Sequence, residues 1–491
     1  MLPVGGDMAR LSILFSVSEC FPFAKTGGLG DVAGALPIAL KARGHDVRIV
    51  MPRYASTRKF PAVEMAGPLT VPMGWGLEFC AVQRSEVGPP EGRVPVYLLD
   101  HEGFFNRNGV YGDSSGGFGD NLERYGFLSR GTLELCRYLG WAPDVFHVHD
   151  WMTSLVPVHL ATTERGTELG RAASVLTIHN LGYQGWFDRS HAWKVGLYGD
   201  LPERAGLVMK GGLNLLKAGI HQSTIVSTVS PTYAREIQTP GGGEGLDHVL
   251  RGRGGDVLGV LNGIDDVVWN PMADKHTAAP FDADDLTGKA ACKADLQRAL
   301  GLEERPDVPL LGLVSRLVGQ KGIDVFADAL PRLLQEDAQF VVLGSGDASS
   351  ESLFTHLSHT TTNFRSFIGM NEALAHKIEA GSDFFLMPSR YEPCGLNQLY
   401  SQRYGTLPIV RNVGGLADTV DNASTGFKFD VLDADAIANT VLWALSIYVD
   451  HPEQFRAMQR RAMQKPLGWS HTARQYEALY RLAIGRRRGR F

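Results

Sequence analysis

The segment Lys25-Thr-Gly-Gly-Leu-Gly-Asp31 has the residue types of a loop that binds an anion. Its three glycines allow the backbone to approach a ligand closely, and Lys25 adds a full positive charge. The first N–H groups of a following helix would also attract a phosphate. The spacing matches neither G-x-G-x-x-G nor the Walker pattern. Taken alone, the loop is therefore equally compatible with a diphosphate site and with an ordinary tight turn.

The elements around this loop predict that it is the first turn of a βαβ unit. The apolar run 11–17 is typical of a buried strand, and Val32 to Arg43 has helical spacing that stops at Gly44. A second apolar strand, 46–51, follows. The loop must then lie at the carboxyl edge of a parallel sheet, where α/β folds bind ligands.

Other polar residues also follow apolar strands, which places them at the same kind of edge. In the first half of the chain they are Asp31, Asp150, His179, Asn180 and Asn262, and in the second half Arg316, Lys321, Glu392 and the turn Cys394-Gly395-Leu396. Each residue also has a simpler explanation. Lys25 can be a solvated loop lysine, Asp150 a helix N-cap and His179 an interior histidine, and Arg316 can pair with a surface carboxylate. Their shared position favours a ligand site, and the cations Lys25, Arg316 and Lys321 favour an anionic ligand.

The alternation of strand and helix runs through the chain twice. It breaks between Asp265 and Pro309 and restarts with the apolar strand 310–316. The predicted fold class is therefore α/β, with two Rossmann-like doubly wound domains facing each other across a deep cleft. We place the first domain at 10–262, the second at 263–470, and a C-terminal helix with a basic tail at 471–491, which can cross back to the first domain.

Composition excludes several classes of protein. The 491 residues are 44% hydrophobic and 21% charged, as in globular proteins, and the net charge of −5 argues against a nucleic-acid partner. Five scattered cysteines without a C-x-x-C pair predict a reducing compartment. Residues 1–10 have no signal-peptide layout, and no apolar run is long enough for a membrane span. We therefore expect a cytoplasmic protein without a membrane partner.

A metal site is not predicted, although one pattern leaves it open. No D-x-D follows a strand in the arrangement of metal-dependent sugar-nucleotide transferases, so side-chain cations and helix N-termini must balance a departing diphosphate. The pair His147-Val-His149 resembles an H-x-H metal pair, which keeps a metal hydrolase as an alternative. A hydrolase of that kind would need further His and Asp ligands and a single barrel.

Six strings occurring in order along nearly the whole chain resemble bacterial glycogen synthases and plant starch synthases. They are Lys25-Thr-Gly-Gly-Leu-Gly-Asp-Val32, His149-Asp-Trp151, Thr177-Ile-His-Asn180, Leu261-Asn-Gly-Ile-Asp265, Ser315-Arg-Leu-Val-Gly-Gln-Lys-Gly322 and Pro388-Ser-Arg-Tyr-Glu-Pro-Cys-Gly-Leu396. The resemblance implies a GT-B glycosyltransferase of two Rossmann-like domains. It implies transfer of glucose from ADP-glucose to the non-reducing 4-hydroxyl of an α-1,4-glucan, with retention and without a cofactor.

The resemblance also implies roles for individual residues. Lys25 and the backbone of Gly27 and Gly28 would hold the diphosphate, and Arg316 and Lys321 would stabilise departing ADP. The glucose and the rest of the donor would contact Asp31, Asp150, Asn180, Asn262, Glu392 and the backbone of Cys394, Gly395 and Leu396. The backbone carbonyl of His179 would lie near the anomeric carbon, and no carboxylate is placed as a nucleophile, so a front-face reaction is expected.

Two positions depart from related transferases. Tyr400 stands where many proteins of this fold carry a second Glu, as is usual among glycogen synthases, and Met370 stands where relatives carry a Tyr that can stack on adenine. A Met still offers a polarizable contact. Two further alternatives are a glucan-binding scaffold with a dead site and a phosphorylase that uses pyridoxal phosphate. The basic tail Arg486-Arg-Arg-Gly-Arg490 is assigned no function.

Overall fold

The computed structural model of the protein describes residues 10–489. The segment before residue 10, for which the sequence predicts no signal peptide, and the end of the basic tail at Arg490 lie outside the described residues. The chain divides into two compact units, of which the first runs to Gly263 and resumes at Trp469, and the second comprises Ile264–Gly468. None of the helices in residues 10–489 has the length and hydropathy that a membrane span requires.

The first unit is organised around one large, mostly parallel sheet. The described strands of this unit are β1 (Ser12–Ser16), β2 (Asp46–Pro52), β3 (Val63–Glu64), β4 (Leu69–Met73), β5 (Gly76–Val87), β6 (Val94–Asp100), β7 (Gly112–Asp113), β8 (Gly116–Gly117), β9 (Val145–His149), β10 (Ala173–Ile178), β11 (Trp186–Asp188), β12 (Val208–Met209), β13 (Gly212–Asn214), β14 (Ile225–Thr228) and β15 (Val257–Gly259). Of these, β7 and β8 pair with each other, and β11, β12 and β13 form a separate small sheet. Its described helices before the second unit are α1 (Gly28–Ala42), α2 (Glu102–Phe105), α3 (Asn121–Tyr138), α4 (Leu155–Ala161), α5 (Leu201–Arg204), α6 (Leu215–Gln222), α7 (Pro231–Glu236) and α8 (Asp247–Arg251).

The strand order of this sheet creates a switch point beside β1. The order is β15-β14-β10-β9-β1-β2-β6-β5-β3, with β4 paired to β5. From β1 the chain proceeds to β2 and β6 on one side, and only later to β9, β10, β14 and β15 on the other. Every residue of β9 and β10 is buried, as expected for strands covered on both faces. The carboxyl ends of β1 and β9 are therefore where a sheet of this order generally binds its ligand.

The second unit repeats this arrangement in a smaller form. Its strands are β16 (Leu310–Val314), β17 (Gln339–Gly344), β18 (Phe364–Ile368), β19 (Phe384–Met387), β20 (Leu407–Arg411) and β21 (Phe427–Phe429), and its helices are α9 (Thr287–Leu300), α10 (Ile323–Leu333), α11 (Ala348–Thr360), α12 (Glu372–Gly381), α13 (Asn397–Arg403), α14 (Gly414–Thr419), α15 (Ala434–Asp450) and α16 (Pro452–Met463). The parallel order β18-β17-β16-β19-β20-β21 places its switch point between β16 and β19. Apolar side chains from both faces of the sheet form its cores.

The last helix, α17 (Trp469–Arg487), belongs to the first unit. Its Glu477 accepts hydrogen bonds from Arg43 and from Nε2 of His45, each at 2.7 Å. Nδ1 of His45 accepts the Leu11 N–H, so the ring proton must be on Nε2. These bonds attach the helix to the turn between α1 and β2, and His45 connects that turn to Leu11 at the start of β1.

The structure corrects several element boundaries. Helix α1 begins at Gly28 and not at Val32, so Asp31 lies in the first helical turn and not in a loop. The last helix begins two residues before the predicted residue 471 and ends beyond 484. The antiparallel strands β3 to β5 were not predicted, because β5 alternates irregularly between exposed and buried residues. The predicted loop 104–119 contains the end of α2 and the short strands β7 and β8.

Candidate active site

The glycine-rich segment after β1 presents an ion pair and an open backbone. Lys25 Nζ lies 2.7 Å from Asp31 Oδ1, with side chains 45% and 27% exposed. A Cβ atom added to Gly27 or Gly28 would meet nothing within 4 Å, whereas one at Gly34 would lie 2.7 Å from the carbonyl oxygen of Phe21. Packing therefore explains the glycine at 34, and at 27 and 28 the open side leaves room for a ligand.

A buried carboxylate that the sequence analysis did not identify lies beneath this segment. Glu19 accepts the Thr26 N–H, the Thr26 hydroxyl at 2.7 Å, the Gly27 N–H at 3.2 Å and the Tyr111 hydroxyl. Its sequence signal was a charged residue directly after the apolar run 11–17. Because Gly27 donates its N–H to Glu19, that group is occupied in this structure.

Asp150 and His179, at the ends of β9 and β10, are joined by a hydrogen bond. Asp150 Oδ1 accepts the His179 N–H at 2.8 Å, and the Asp150 backbone has a φ of 51°, which a non-glycine residue rarely adopts. Burial raises the pKa of the Asp150 carboxyl to about 7, against the opposing effect of hydrogen bonds from the His179 and Asn180 backbone. This carboxylate is therefore fixed by the next strand.

Three histidines lie at this edge of the sheet and are uncharged near pH 7; His147 and His149 are buried, and His179 is partly exposed. His149 Nδ1 and His179 Nε2 are 3.0 Å apart, so one of the two nitrogens donates. Burial lowers the pKa of His179 to about 3 and holds the pKa values of His147 and His149 well below the usual range. The positive charge of the site must therefore come from lysine and arginine side chains.

The geometry does not support the H-x-H metal pair. His147 uses both ring nitrogens, since Nε2 lies 2.7 Å from Thr177 Oγ1 and Nδ1 lies 2.9 Å from the Tyr480 hydroxyl. In residues 10–489 no group of three or more His, Cys, Asp or Glu side chains is arranged to hold a metal ion. His147 therefore connects β9 to β10 and to α17.

Two asparagines follow β10 and β15. Asn180 Oδ1 accepts the Gly182 N–H at 2.9 Å and so shapes the turn after β10. Asn262 is buried, and its Oδ1 has no hydrogen-bond partner among the described residues. A buried amide oxygen without a donor is unfavourable, so it is available to a ligand hydroxyl.

In the second unit, the turns after β16 and β19 meet in an ion pair. Lys321 Nζ lies 2.5 Å from Glu392 Oε2, which also accepts the Ser389 hydroxyl at 3.1 Å. Gly322 has a φ of +68°, and a Cβ atom there would lie 1.9 Å from the carbonyl oxygen of Pro388. Only glycine allows the two turns to approach this closely.

The other predicted residues of this unit lie on the turns near that pair, and they differ in exposure. Arg316 is exposed and donates to Gln320 Oε1 at 3.1 Å. Cys394 is buried and Gly395 has a φ of +71°, with both carbonyls accepting from Gln398 Nε2 at 3.0 Å. Leu396 directly precedes α13. The Gln398 side chain therefore holds the turn through the carbonyls of Cys394 and Gly395.

Two glycines that the sequence analysis missed lie against this turn. A Cβ atom on Gly414 or Gly415 would come within 1.9 Å of the Glu392 carbonyl oxygen or 2.1 Å of the Cys394 carbonyl oxygen. The Gly415 N–H also donates to the Glu392 carbonyl at 3.0 Å. The pair Gly-Gly after a buried strand was the available signal.

The two departures from related transferases have different surroundings. Met370 is 96% exposed, directly after Gly369 at the end of β18. Tyr400 stacks on Trp269 with ring centroids 3.8 Å apart, and Trp269 stacks on His376 at 3.9 Å. Tyr400 therefore supports the packing of the second unit.

Within the separate units, the predicted residues thus contact one another in three places: Lys25 with Asp31, Asp150 with the backbone of His179 and Asn180, and Lys321 with Glu392. No hydrogen bond described in residues 10–489 joins Asn262 or Met370 to another predicted residue. The residues that the sequence reasoning missed are Glu19, Ser389, Gly414 and Gly415.

Comparison with known proteins gives consistent matches over both units. Residues 12–252 match the family model of the starch synthase catalytic domain, and residues 301–462 match that of glycosyl transferases group 1. Glycogen synthase 1 of Geobacter sulfurreducens is 48% identical over 98% of each chain. The glycogen synthase of Anaeromyxobacter sp. (strain Fw109-5) is 47% identical, over 96% of this chain and 99% of that one.

Solved structures agree with the fold. The catalytic domain of starch synthase IV from Arabidopsis thaliana, bound to ADP and acarbose, superposes with a TM-score of 0.86 at 32% identity, covering 97% of this chain and 100% of that one. A sucrose-phosphate synthase from Thermosynechococcus elongatus gives a TM-score of 0.60 at 17% identity, covering 96% of this chain and 98% of that one, and supports the fold alone. The predicted class of two Rossmann-like α/β domains is confirmed.

Proposed function

Because this chain belongs to the family of bacterial glycogen synthases and plant starch synthases, we propose that it elongates glycogen with ADP-glucose as the donor. The chain is a glycosyltransferase. The proposed reaction moves glucose to the non-reducing 4-hydroxyl of an α-1,4-glucan and retains the anomeric configuration. A relative solved with ADP and acarbose supports a nucleotide and a sugar as ligands.

One observation carries the proposal: each sheet has a cation and a carboxylate paired at its switch point. Lys25 and Asp31 follow β1, and Lys321 and Glu392 follow β16 and β19. A nucleotide sugar offers a diphosphate for the cations and hydroxyls for the carboxylates. The cations and carboxylates that would bind this ligand therefore lie where α/β sheets bind ligands.

The diphosphate is proposed to bind the cations and the glycine-rich backbone. Lys321 gives one of its three ammonium protons to Glu392, so two remain for phosphate oxygens. Lys25 and Arg316 are exposed and can turn toward the same kind of ligand. Negative charge grows on the diphosphate as the glycosidic bond breaks, and these cations stabilise it in the transition state.

The glucose is proposed to contact the groups that the chain leaves unpaired. Glu392 has both described hydrogen bonds on Oε2, so Oε1 can accept a sugar hydroxyl. Asn262 Oδ1 can do the same. Asp150 orients the sugar, while its bond to the His179 N–H fixes the carbonyl of His179, which we propose faces the anomeric carbon. A front-face reaction then lets the departing phosphate take the acceptor's proton.

The proposal includes no metal or organic cofactor and no nucleic-acid or membrane partner. Its charge balance rests on Lys25, Arg316 and Lys321. All five cysteines are free and buried, which supports placement in the reducing cytoplasm.

Incubation with glycogen and glucose-labelled ADP-glucose tests the proposal. We expect label in the polymer, and we expect an α-1,4-specific hydrolase to release it, because retention keeps the new linkage in the α configuration. UDP-glucose is the matched donor control. If neither ADP-glucose nor UDP-glucose labels the polymer, the proposed activity is wrong and the glucan-binding scaffold is favoured. An absorbance band of pyridoxal phosphate would favour the phosphorylase.

A further inference from the structure

Glu19 is a fully enclosed carboxylate whose hydrogen bonds all connect to loops. It is 2% exposed and lies three residues beyond the end of β1. Its donors are the Thr26 N–H and hydroxyl, the Gly27 N–H and the Tyr111 hydroxyl. A buried carboxylate is stable only when such donors surround it. The loops and the carboxylate therefore depend on each other.

These bonds determine which backbone groups remain for a ligand. The first N–H groups of a helix have no acceptor within the helix. At the start of α1, Glu19 takes the Gly27 N–H, and the Gly30 N–H donates to the Gly27 carbonyl at 3.2 Å. No acceptor within residues 10–489 is described for the N–H groups of Gly28 and Leu29. Those two donors are next to the open side of Gly27 and Gly28.

The same carboxylate also holds a second loop. The Tyr111 hydroxyl donates to Glu19 and lies 2.8 Å from Ser18 Oγ. Burial and the nearby charge of Glu19 raise the pKa of the Tyr111 phenol, so it stays protonated and remains a donor. The Tyr111 carbonyl in turn accepts Asn121 Nδ2 at 2.9 Å, which connects the loop to α3. Glu19 is therefore the junction between the glycine-rich loop and the loop 106–119.

We propose that Glu19 is a positioning residue for the donor diphosphate. Its carboxylate fixes the glycine-rich loop so that the N–H groups of Gly28 and Leu29, together with Lys25, face the ligand. It acts through the loop and does not touch the substrate. This inference rests on the proposed use of a nucleotide-sugar donor, and it replaces the Gly27 N–H with those of Gly28 and Leu29 as diphosphate donors.

Glu19→Gln tests the proposal because an amide keeps the shape of the side chain but removes its charge and offers one acceptor oxygen in place of two. It cannot accept from both the backbone N–H groups of Thr26 and Gly27 and the hydroxyls of Thr26 and Tyr111. We expect KM for ADP-glucose to rise roughly tenfold or more, with a smaller change in kcat. Tyr111→Phe keeps the carboxylate and its loop bonds, so we expect a smaller rise in the same KM. If Glu19→Gln folds poorly, Tyr111→Phe still tests the proposal.

Glu164→Gln is the matched control, since Glu164 is equally buried in the same unit and pairs with Arg130 and Arg137. It should lower the melting temperature and leave KM for ADP-glucose unchanged. If Glu19→Gln and Tyr111→Phe behave in the same way as this control in an active enzyme, the positioning role is wrong.

Amide hydrogen exchange without ligand separates this inference from the proposed function. In Glu19→Gln, the Thr26 and Gly27 amides should exchange faster than in wild type and in Glu164→Gln. Unchanged exchange would overturn the inference even if the enzyme uses ADP-glucose. If wild type transfers no glucose, the proposed function fails, and the positioning role for a donor fails with it, whereas the exchange result still reports on the loop.

Discussion

Lys321 Nζ lies 2.5 Å from Glu392 Oε2, with the side chains 19% and 7% exposed, so each residue neutralises the other inside the second unit. Lys321→Ala leaves the buried carboxylate without its cation. We expect the free energy of unfolding to fall by about 1–3 kcal/mol, measured by urea titration, and transfer activity to be lost. The control is Asp324→Asn, which breaks the exposed pair with Arg390 and should cost less than about 1 kcal/mol. Equal effects in the two variants would contradict this account.

Lys25 should matter for the donor and little for the fold. Its side chain is exposed and its described ion-pair partner, Asp31, is partly exposed. If Lys25 binds the diphosphate, Lys25→Ala loses a charge-assisted contact of about 1.5–3 kcal/mol, which is roughly ten- to over a hundredfold in kcat/KM for ADP-glucose. Lys25 lies over the ring of Phe21, and Lys59 is an exposed lysine that lies in the same way over the ring of Phe60. Lys59→Ala is therefore the control, and its kcat/KM for ADP-glucose should equal that of wild type. Unchanged kinetics of Lys25→Ala would remove it from the site.

Asp150 should make stability depend on pH. Burial raises the pKa of Asp150 from 3.8 to about 7, so between these values the folded state binds more protons than the unfolded state. The contribution of Asp150 to stability therefore falls as pH rises from about 4 to about 7. Relative to wild type, Asp150→Asn should gain up to about 4 kcal/mol across that window.

The measurement for Asp150 is denaturant unfolding of both proteins at several pH values. Asp188→Asn is a suitable control, because hydrogen bonds from Ser190 lower the pKa of the exposed Asp188, and no change between pH 4 and 7 is expected. A wild-type curve parallel to that of Asp150→Asn would show that the carboxyl is ionised throughout.

Transfer should not require a divalent metal. The cations Lys25, Arg316 and Lys321 are proposed to balance the diphosphate, and both nitrogens of His147 already have partners. Exhaustive chelation should leave the initial rate of glucose transfer nearly unchanged. Loss of the rate, with recovery on adding a divalent ion, would refute this prediction and reopen a metal role at His149.

Met370 should limit the affinity for adenine. It is almost fully exposed after β18, and an aromatic ring there offers a larger stacking surface than a thioether. Met370→Tyr should lower the apparent KM for ADP-glucose. Met272→Tyr, at another exposed methionine of the same unit, should leave KM unchanged. A KM that stays constant or rises in Met370→Tyr would place the adenine elsewhere.

The sequence predicted the parts of the site that depend on local patterns. Buried parallel strands are apolar runs, so their ends are visible in the sequence, and with them the positions of Lys25, Asp150, His179, Lys321 and Glu392. It predicted α1 less well, because glycines at 28 and 30 are typical of loops and here form the first helical turn. The ligand roles of these residues stay predictions until the variants are measured.

The sequence by itself determined the order of strands and helices and the residues at the strand ends, because periodicity and turn residues act over a few positions. Only the tertiary structure decided the partners: Glu19 with Tyr111, His147 with Tyr480, and His45 with Glu477. These pairs join residues about a hundred to several hundred positions apart, and strand order brings them together. A buried polar group must find a partner wherever the fold supplies one, and no short-range pattern encodes which residue that is.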